Sequence, residues 1–197
     1  MKPLPEDAWN AWQPADLMKR LGLDIHWYVV GGWALDLWHG RQTRDHEDLE
    51  FSVLQEDVDR ARSLLGELVF FSVADGHVEH LPSSVPPAEH VAQLWGADPK
   101  EGCWRVDMMP ERGTAATWVY KRDPSLTVPR GDLIRRTAEG LPFLAPAAIL
   151  LFKAKHRREK DERDFDLALP RLAAAERADL RGWLSRLHPD HDWIARL

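Results

Sequence analysis

The chain has a single cysteine, Cys103, among 197 residues. One thiol forms no internal disulfide and builds no cysteine-based zinc site, and such usage fits a reducing cytoplasm. Long apolar runs are missing too: nothing approaches the roughly 18 residues that span a bilayer. The opening MKPLPEDAWNAW is polar and broken by prolines, and does not read as a signal peptide. Basic excess is also lacking. Lys and Arg number 26 against 32 Asp and Glu, a net charge of −6, which counts against a general nucleic-acid binder. There are no internal repeats, no low-complexity tracts, and neither the G-x-G-x-x-G nor the P-loop pattern. What is present is an ordinary globular composition, 44% hydrophobic and 29% charged, with ten tryptophans that serve mainly to fill a core.

Periodicity sketches the elements. Residues 7–21 space their apolar positions as a helix ended by Gly22. HWYVVGG reads as a strand entering a turn, GWALDLWHG as two helical turns stopped by Gly40, and EDLEFSVL as a second strand. EDVDRARSLLGEL is helical, and LVFFSVADGHVEHL suggests a hairpin about Asp75-Gly76. SSVPPAEHVAQLWGADPKEG reads as loop, short helix and loop; CWRVDMMPE is a short strand, and residues 117–146 look like irregular strands. From Pro146 the texture turns helical: PAAILLFKAKHRREKDERDFDLALPRL, then AERADLRGWLSRL. The expectation is an α+β fold with a mixed α/β sheet over residues 1–140, followed by a helical region over 141–197.

Asp48 and Glu50 are the chemical focus. Residues two apart on a strand share a face, so the two carboxylates stand together while Leu49 and Phe51 point into the core. Paired carboxylates repel unless a cation lies between them, and hard oxygen donors suit Mg²⁺ or Mn²⁺. Asp107, an acid between Val106 and Met108, is costly to bury without a partner and is the best third member. Asp75 and Glu79 are substitutes for it. Upstream, Gly31-Gly32 ends an apolar strand and opens a helix, where backbone N–H groups can approach a phosphate.

Taken together, GGWALDLWHGRQTRDHEDLEF resembles the nucleotidyltransferase superfamily that shares the DNA polymerase β catalytic fold. GGWALD followed by GRQTRDHEDLE looks like its small antibiotic-modifying branch, the aminoglycoside and lincosamide nucleotidyltransferases. FLAPAAILLFKAKHRREKDERDFDLALPRL looks like the helical tail of these small members. By that resemblance Gly31 and Gly32 hold a nucleoside triphosphate, and Asp48 and Glu50 bind the divalent metals. Asp107 completes the metal set or acts as general base. Arg41, Arg44 and His46 line the approach to the acids, and Lys153 and Lys160 come from the C-terminal helix, sharing a face with Arg157 if that helix is continuous. Glu50 departs from the more usual Asp at its position.

The resemblance implies transfer of a nucleoside monophosphate, from ATP by preference, to a hydroxyl of a small molecule, with release of pyrophosphate. An aminoglycoside-type antibiotic is one such acceptor: it is a polycation, and an acidic cleft in a −6 protein would attract it. Two other readings belong to different classes: a toxin–antitoxin nucleotidyltransferase acting on a tRNA or a protein, and a non-catalytic nucleotide binder. For the charges of KAKHRREKDERDFD the plainer role is a solvated, salt-bridged helix face, with Lys153 the exception. Trp33 and Trp38 read as core, and His46 as a hydrogen-bonding orienter.

Overall fold

The computed structural model describes residues 1–197. In chain order its elements are α1 (Pro14–Leu21), β1 (Trp27–Val29), α2 (Gly31–His39), β2 (Glu50–Leu54), α3 (Val58–Leu64), β3 (Val69–Ala74), β4 (His77–His80), β5 (Gln93–Asp98) and β6 (Cys103–Glu111). They continue as β7 (Thr117–Val119), β8 (Thr127–Pro129), α4 (Arg130–Leu133), β9 (Ile134–Arg136), β10 (Pro142–Leu144), α5 (Pro146–Ala154), α6 (Glu159–Ala168), α7 (Ala174–Leu187) and α8 (Trp193–Arg196). Eight strands form one sheet in the order β4-β3-β5-β6-β2-β1-β10-β9, and β7 and β8 pair separately. The sheet is mixed: β2 runs parallel to β6 and β1 parallel to β10, while the remaining neighbours are antiparallel. No helix is long and apolar enough to cross a membrane.

The alternation read from the acidic strand holds: Leu49 and Phe51 are fully buried, and Glu50 lies between them. Asp48 stands just ahead of β2 rather than within it. The hairpin turns at Asp75-Gly76, both in the left-handed region with φ 52° and 77°, as two-residue hairpin loops require.

Three expectations are corrected. The helix expected over 7–21 begins only at Pro14, whose fixed φ suits a first helical position. Before it the chain is extended: Ala8, Asn10 and Trp12 exchange backbone hydrogen bonds with Trp104 and Arg105 of β6, and Trp9 packs against Trp95 and Trp104. The segment expected to contain a short helix near residue 90 instead supplies β5, an interior strand between β3 and β6. Gly96 made it read as loop, yet a side chain there would collide with Leu68 and Val106, so this glycine serves close packing. The charged C-terminal helix is not continuous either. It breaks between α5 and α6, where Arg157 takes φ 50°.

One core unites sheet and helices. Val29, Phe51 and Phe143 of the sheet belong to the same buried cluster as Leu150 of α5, Phe165 of α6 and Leu180 of α7. The last sheet strand, β10, extends past residue 140, and α5 begins two residues after it and packs on α2, α6 and α7.

Candidate active site

The β1–α2 turn and β2 build the site from opposite sides. Val30 N–H donates to the Glu50 carbonyl at 3.0 Å, which sets the turn against the acidic strand. Gly31 has φ 64°, and a Cβ there would overlap the Glu50 carboxylate. A Cβ on Gly32 would strike Arg44 and His46. Glycine at both positions therefore lets side chains from the acidic segment lie directly on the helix start. The first-turn N–H groups of α2 have no intrahelical acceptors, so they face this same region as donors.

Parallel pairing then delivers the third acid. Glu50 and Asp107 are register partners on β2 and β6, and the Asp107 amide donates to Leu49 O at 2.9 Å. Asp107 is 3% exposed; Gln93 Nε2 donates to its Oδ2 at 2.7 Å, while Oδ1 is buried without a partner. Burial, reinforced by the charges of Glu50 and Asp48, holds the Asp107 carboxyl well above the usual range. Burial and the neighbouring Asp48 charge push Glu50 up to about 7, against the opposing pull of Lys153, Arg158 and Lys160. Asp75 and Glu79, the alternatives to Asp107, lie on the β3–β4 hairpin at the far edge of the sheet and play no part.

The loop carrying Arg44 and His46 is pinned by Asp36, which is 3% exposed. Asp36 accepts from Thr43 N–H at 3.1 Å, from the Thr43 hydroxyl, and from His46 Nε2 at 2.6 Å. Burial lowers the His46 pKa, so the ring is neutral near pH 7 with its proton on Nε2, and it lies 4.5 Å from the Trp33 ring. His46 is thus an orienting residue, as expected. Arg44 turns to α6, where Nε and Nη2 each donate to Asp164 at 3.2 Å. Arg41 is exposed, forms no side-chain ion pair and lines neither cavity described below, so its expected place near the acids is not realised.

The break after α5 lets Lys153 face α6. Its ammonium is buried and contacts Asp161 at 3.1 Å and Asp164 at 2.8 Å. Arg158 also binds Asp161, at 2.8 Å, while Arg157 points away to Asp192. A shared face for Lys153, Arg157 and Lys160 is therefore corrected: Lys153 and Lys160 reach one cavity from two helices, and Arg157 is excluded.

Two cavities meet at Glu50, Lys153 and Arg158. The smaller, 260 Å³, has no hydrophobic lining; Gly32, Arg44, Asp48 and Lys160 form much of its wall. The larger, 570 Å³, runs from Gly31 past Gln93 to Trp118, Tyr120 and Phe152. Its floor is a closed hydrogen-bond chain: Trp118 Nε1 donates to Tyr28 Oη at 3.1 Å, Tyr28 to Glu111 at 2.7 Å, and Arg130 to the other Glu111 oxygen at 2.7 Å. Burial, followed by the Glu111 charge, raises the Tyr28 pKa, so the phenol is the donor. The cleft is not acidic, contrary to expectation. Arg112, Lys121 and Arg122 line it; their hydrogen bonds go to backbone carbonyls and a histidine, and Arg122 also lies 5.3 Å from the centre of the Phe152 ring. Gln93, Lys121, Arg158, Asp161 and Asp164 were not found from sequence. Each comes from a segment distant from the Gly-Gly and acidic motif, and the charged run around residue 160 was the sole hint.

A divalent cation fits the donors present. Asp48, Glu50 and Asp107 supply hard oxygens, one of them orphaned, and burial followed by mutual repulsion raises Glu50 and Asp107. They do not already converge into a cluster of three.

Residues 15–84 match the family model for aminoglycoside-2''-adenylyltransferase. No curated protein matches the chain. Among solved structures, ANT(2'')-Ia in complex with adenylyl-2''-tobramycin superposes with a TM-score of 0.57 at 15% identity, covering 88% of this chain and 94% of that one. The solution structure of the same resistance factor gives 0.57 at 16% identity, covering 89% of each chain. Lincosamide adenylyltransferase LnuA with lincomycin gives 0.51 at 17%, covering 77% of this chain and 89% of that one. At such identities the superpositions speak for the fold; the family match covers the very segment that holds the Gly-Gly turn, Asp48 and Glu50. The chain therefore shares the overall fold of these adenylyltransferases, and over residues 15–84 it is similar to the aminoglycoside-2''-adenylyltransferase family.

Proposed function

We propose that the protein transfers a nucleoside monophosphate from a nucleoside triphosphate, ATP by preference, to a hydroxyl of a small molecule, releasing pyrophosphate. The observation that carries this is the register of Glu50 with Asp107, with Asp48 just upstream and a trough alongside that has no hydrophobic lining and mixes Asp48 and Glu50 with Arg44, Lys153, Arg158 and Lys160. Asp48, Glu50 and Asp107 would hold Mg²⁺ or Mn²⁺, which when bound neutralises charge on the reacting phosphates. The chain's own groups do the rest. First-turn N–H groups of α2 at Gly31 and Gly32 donate to phosphate oxygens. Arg44, Arg158 and Lys160 add positive charge along the trough, and Asp161 and Asp164 hold Arg158, Lys153 and Arg44 in place for it. Asp107, whose Oδ1 has no other partner, takes the proton from the acceptor hydroxyl. Positioning and charge compensation are then the main sources of rate.

Purified protein incubated with Mg²⁺, labelled ATP or GTP, and a panel of hydroxylated acceptors that includes aminoglycosides and lincosamides tests this. Pyrophosphate release together with a nucleotide-sized mass gain on an acceptor is the expected result. Asp48→Asn should cut transfer by at least about 100-fold with circular dichroism unchanged; undiminished turnover in that variant overturns the assignment.

A further inference from the structure

The larger cavity carries a charge pattern that the transfer chemistry does not use. Lys121 and Arg122 follow β7 and line its wall with Arg112. None of the three has a carboxylate partner: Lys121 Nζ has only Ala92 O at 3.4 Å, Arg122 donates to Phe152 O at 2.8 Å, and Arg112 to Glu89 O at 3.2 Å. The acids of the same cavity do not balance them. Glu111 has both oxygens occupied by Tyr28 and Arg130, Glu50 belongs to the catalytic set, and Glu89 alone is left. The triphosphate is assigned to the adjoining trough, where Arg158 and Lys160 stand beside the acids, and Lys121 and Arg122 lie outside that trough. Both stand next to the Tyr120 and Phe152 rings, which lie 4.9 Å apart and offer an apolar surface to a carbon skeleton. Lys121 and Glu50 line the same cavity, which places this cation in the space that opens onto the reacting end.

We propose that the acceptor bears an anionic group, phosphate or carboxylate, which Lys121 and Arg122 bind while its hydroxyl faces Asp107. The inference rests on the nucleotidyl-transfer reaction proposed above and names its substrate class. A polycationic acceptor would meet two uncompensated cations here, whereas a hydroxylated acid or a sugar phosphate would pair with them through charge-assisted hydrogen bonds.

Calorimetry on the full chain decides it, with Mg²⁺, run with and without non-hydrolysable analogues of ATP and GTP. The probes are sorbitol 6-phosphate, gluconate, sorbitol and kanamycin. One or both anions should bind at least about tenfold tighter than sorbitol, and the stronger of the two identifies the preferred group. The Lys121→Met/Arg122→Met double variant should lose that preference while keeping its nucleotide affinity, because neither side chain lines the trough assigned to the triphosphate; both are exposed, and Lys121→Met alone, which leaves the Arg122–Phe152 contact in place, controls for any change in melting temperature. Kanamycin binding as tightly as the anions, the absence of any anion binding, or a double variant that loses nucleotide instead would overturn the proposal. Failure of wild-type protein to bind either nucleotide analogue would count against the transfer reaction, and the nucleotide-free arm would still decide the charge preference.

Discussion

Gly31 shows how much chemistry a missing side chain can support. Its φ of 64° is open to glycine at little cost, and the volume a methyl group would fill is occupied by the Glu50 carboxylate. Gly31→Ala should therefore strain the backbone by about 1–2 kcal/mol and displace Glu50 as well. The expected outcome is a lower denaturant midpoint together with loss of transfer. A variant that keeps full activity would show that Glu50 does not need this seat. Glu50 and Asp107 also give the ligand-free protein an unusual acid response. Both are raised in the folded state, Glu50 to about 7, so the folded form binds protons that the unfolded chain releases. Their contribution to stability should accordingly grow as pH falls from about 8 toward 5, opposed below about 6.5 by the histidines whose values burial lowers, among them His46 and His191. Urea midpoints of the wild type minus those of Glu50→Gln across that range check it: the difference should shift in favour of the wild type as pH falls.

At the scale of elements, the opposite sign appears on α6. Burial alone would raise Asp161 and Asp164, but hydrogen bonds from Arg158 and Arg44, and the charge of Lys153, outweigh it and hold both below the usual carboxylate range. Their stabilisation is fully present above the unfolded value of about 4 and is lost as pH falls through their depressed folded values. Below pH 4 the α5–α6 pair should loosen before the sheet, and Asp164→Asn should shift that loosening to higher pH. Amide exchange resolved along the chain measures it. Elements whose periodicity decides their burial were legible in the sequence: β1, α2, β2, β6 and the β3–β4 hairpin lie close to where alternation and glycine placed them. Of the acids, Asp107 was reachable because an isolated carboxylate in an apolar strand demands a reason. β5 was hidden by Gly96, whose packing role has no local signature, and the extended stretch at residues 8–12 is held by β6, about a hundred residues away. The α5–α6 break was equally opaque, since a run of alternating charges looks the same on one helix or two. For the same reason Gln93, Arg158 and Lys121 were invisible: tertiary pairing alone brings them to the acids.

Over the whole molecule, residues on both sides of position 140 share one buried core. Ala147, Ala148, Leu150 and Leu151 of α5 are buried in the same cluster as the sheet residues Phe51 and Phe143. We expect a single cooperative thermal transition, with calorimetric and van't Hoff enthalpies in agreement. A fragment of residues 1–144 should fail to fold; a well-dispersed NMR spectrum from it would show that the sheet stands by itself. The unpaired cations at Arg112, Lys121 and Arg122 have a further, macroscopic consequence. With a net charge of −6 the protein should be retained by an anion-exchange resin at neutral pH. Yet the ligands its cleft favours carry the same sign as the protein that receives them, so to a chromatographer the molecule is an acid and to its guest it is a base.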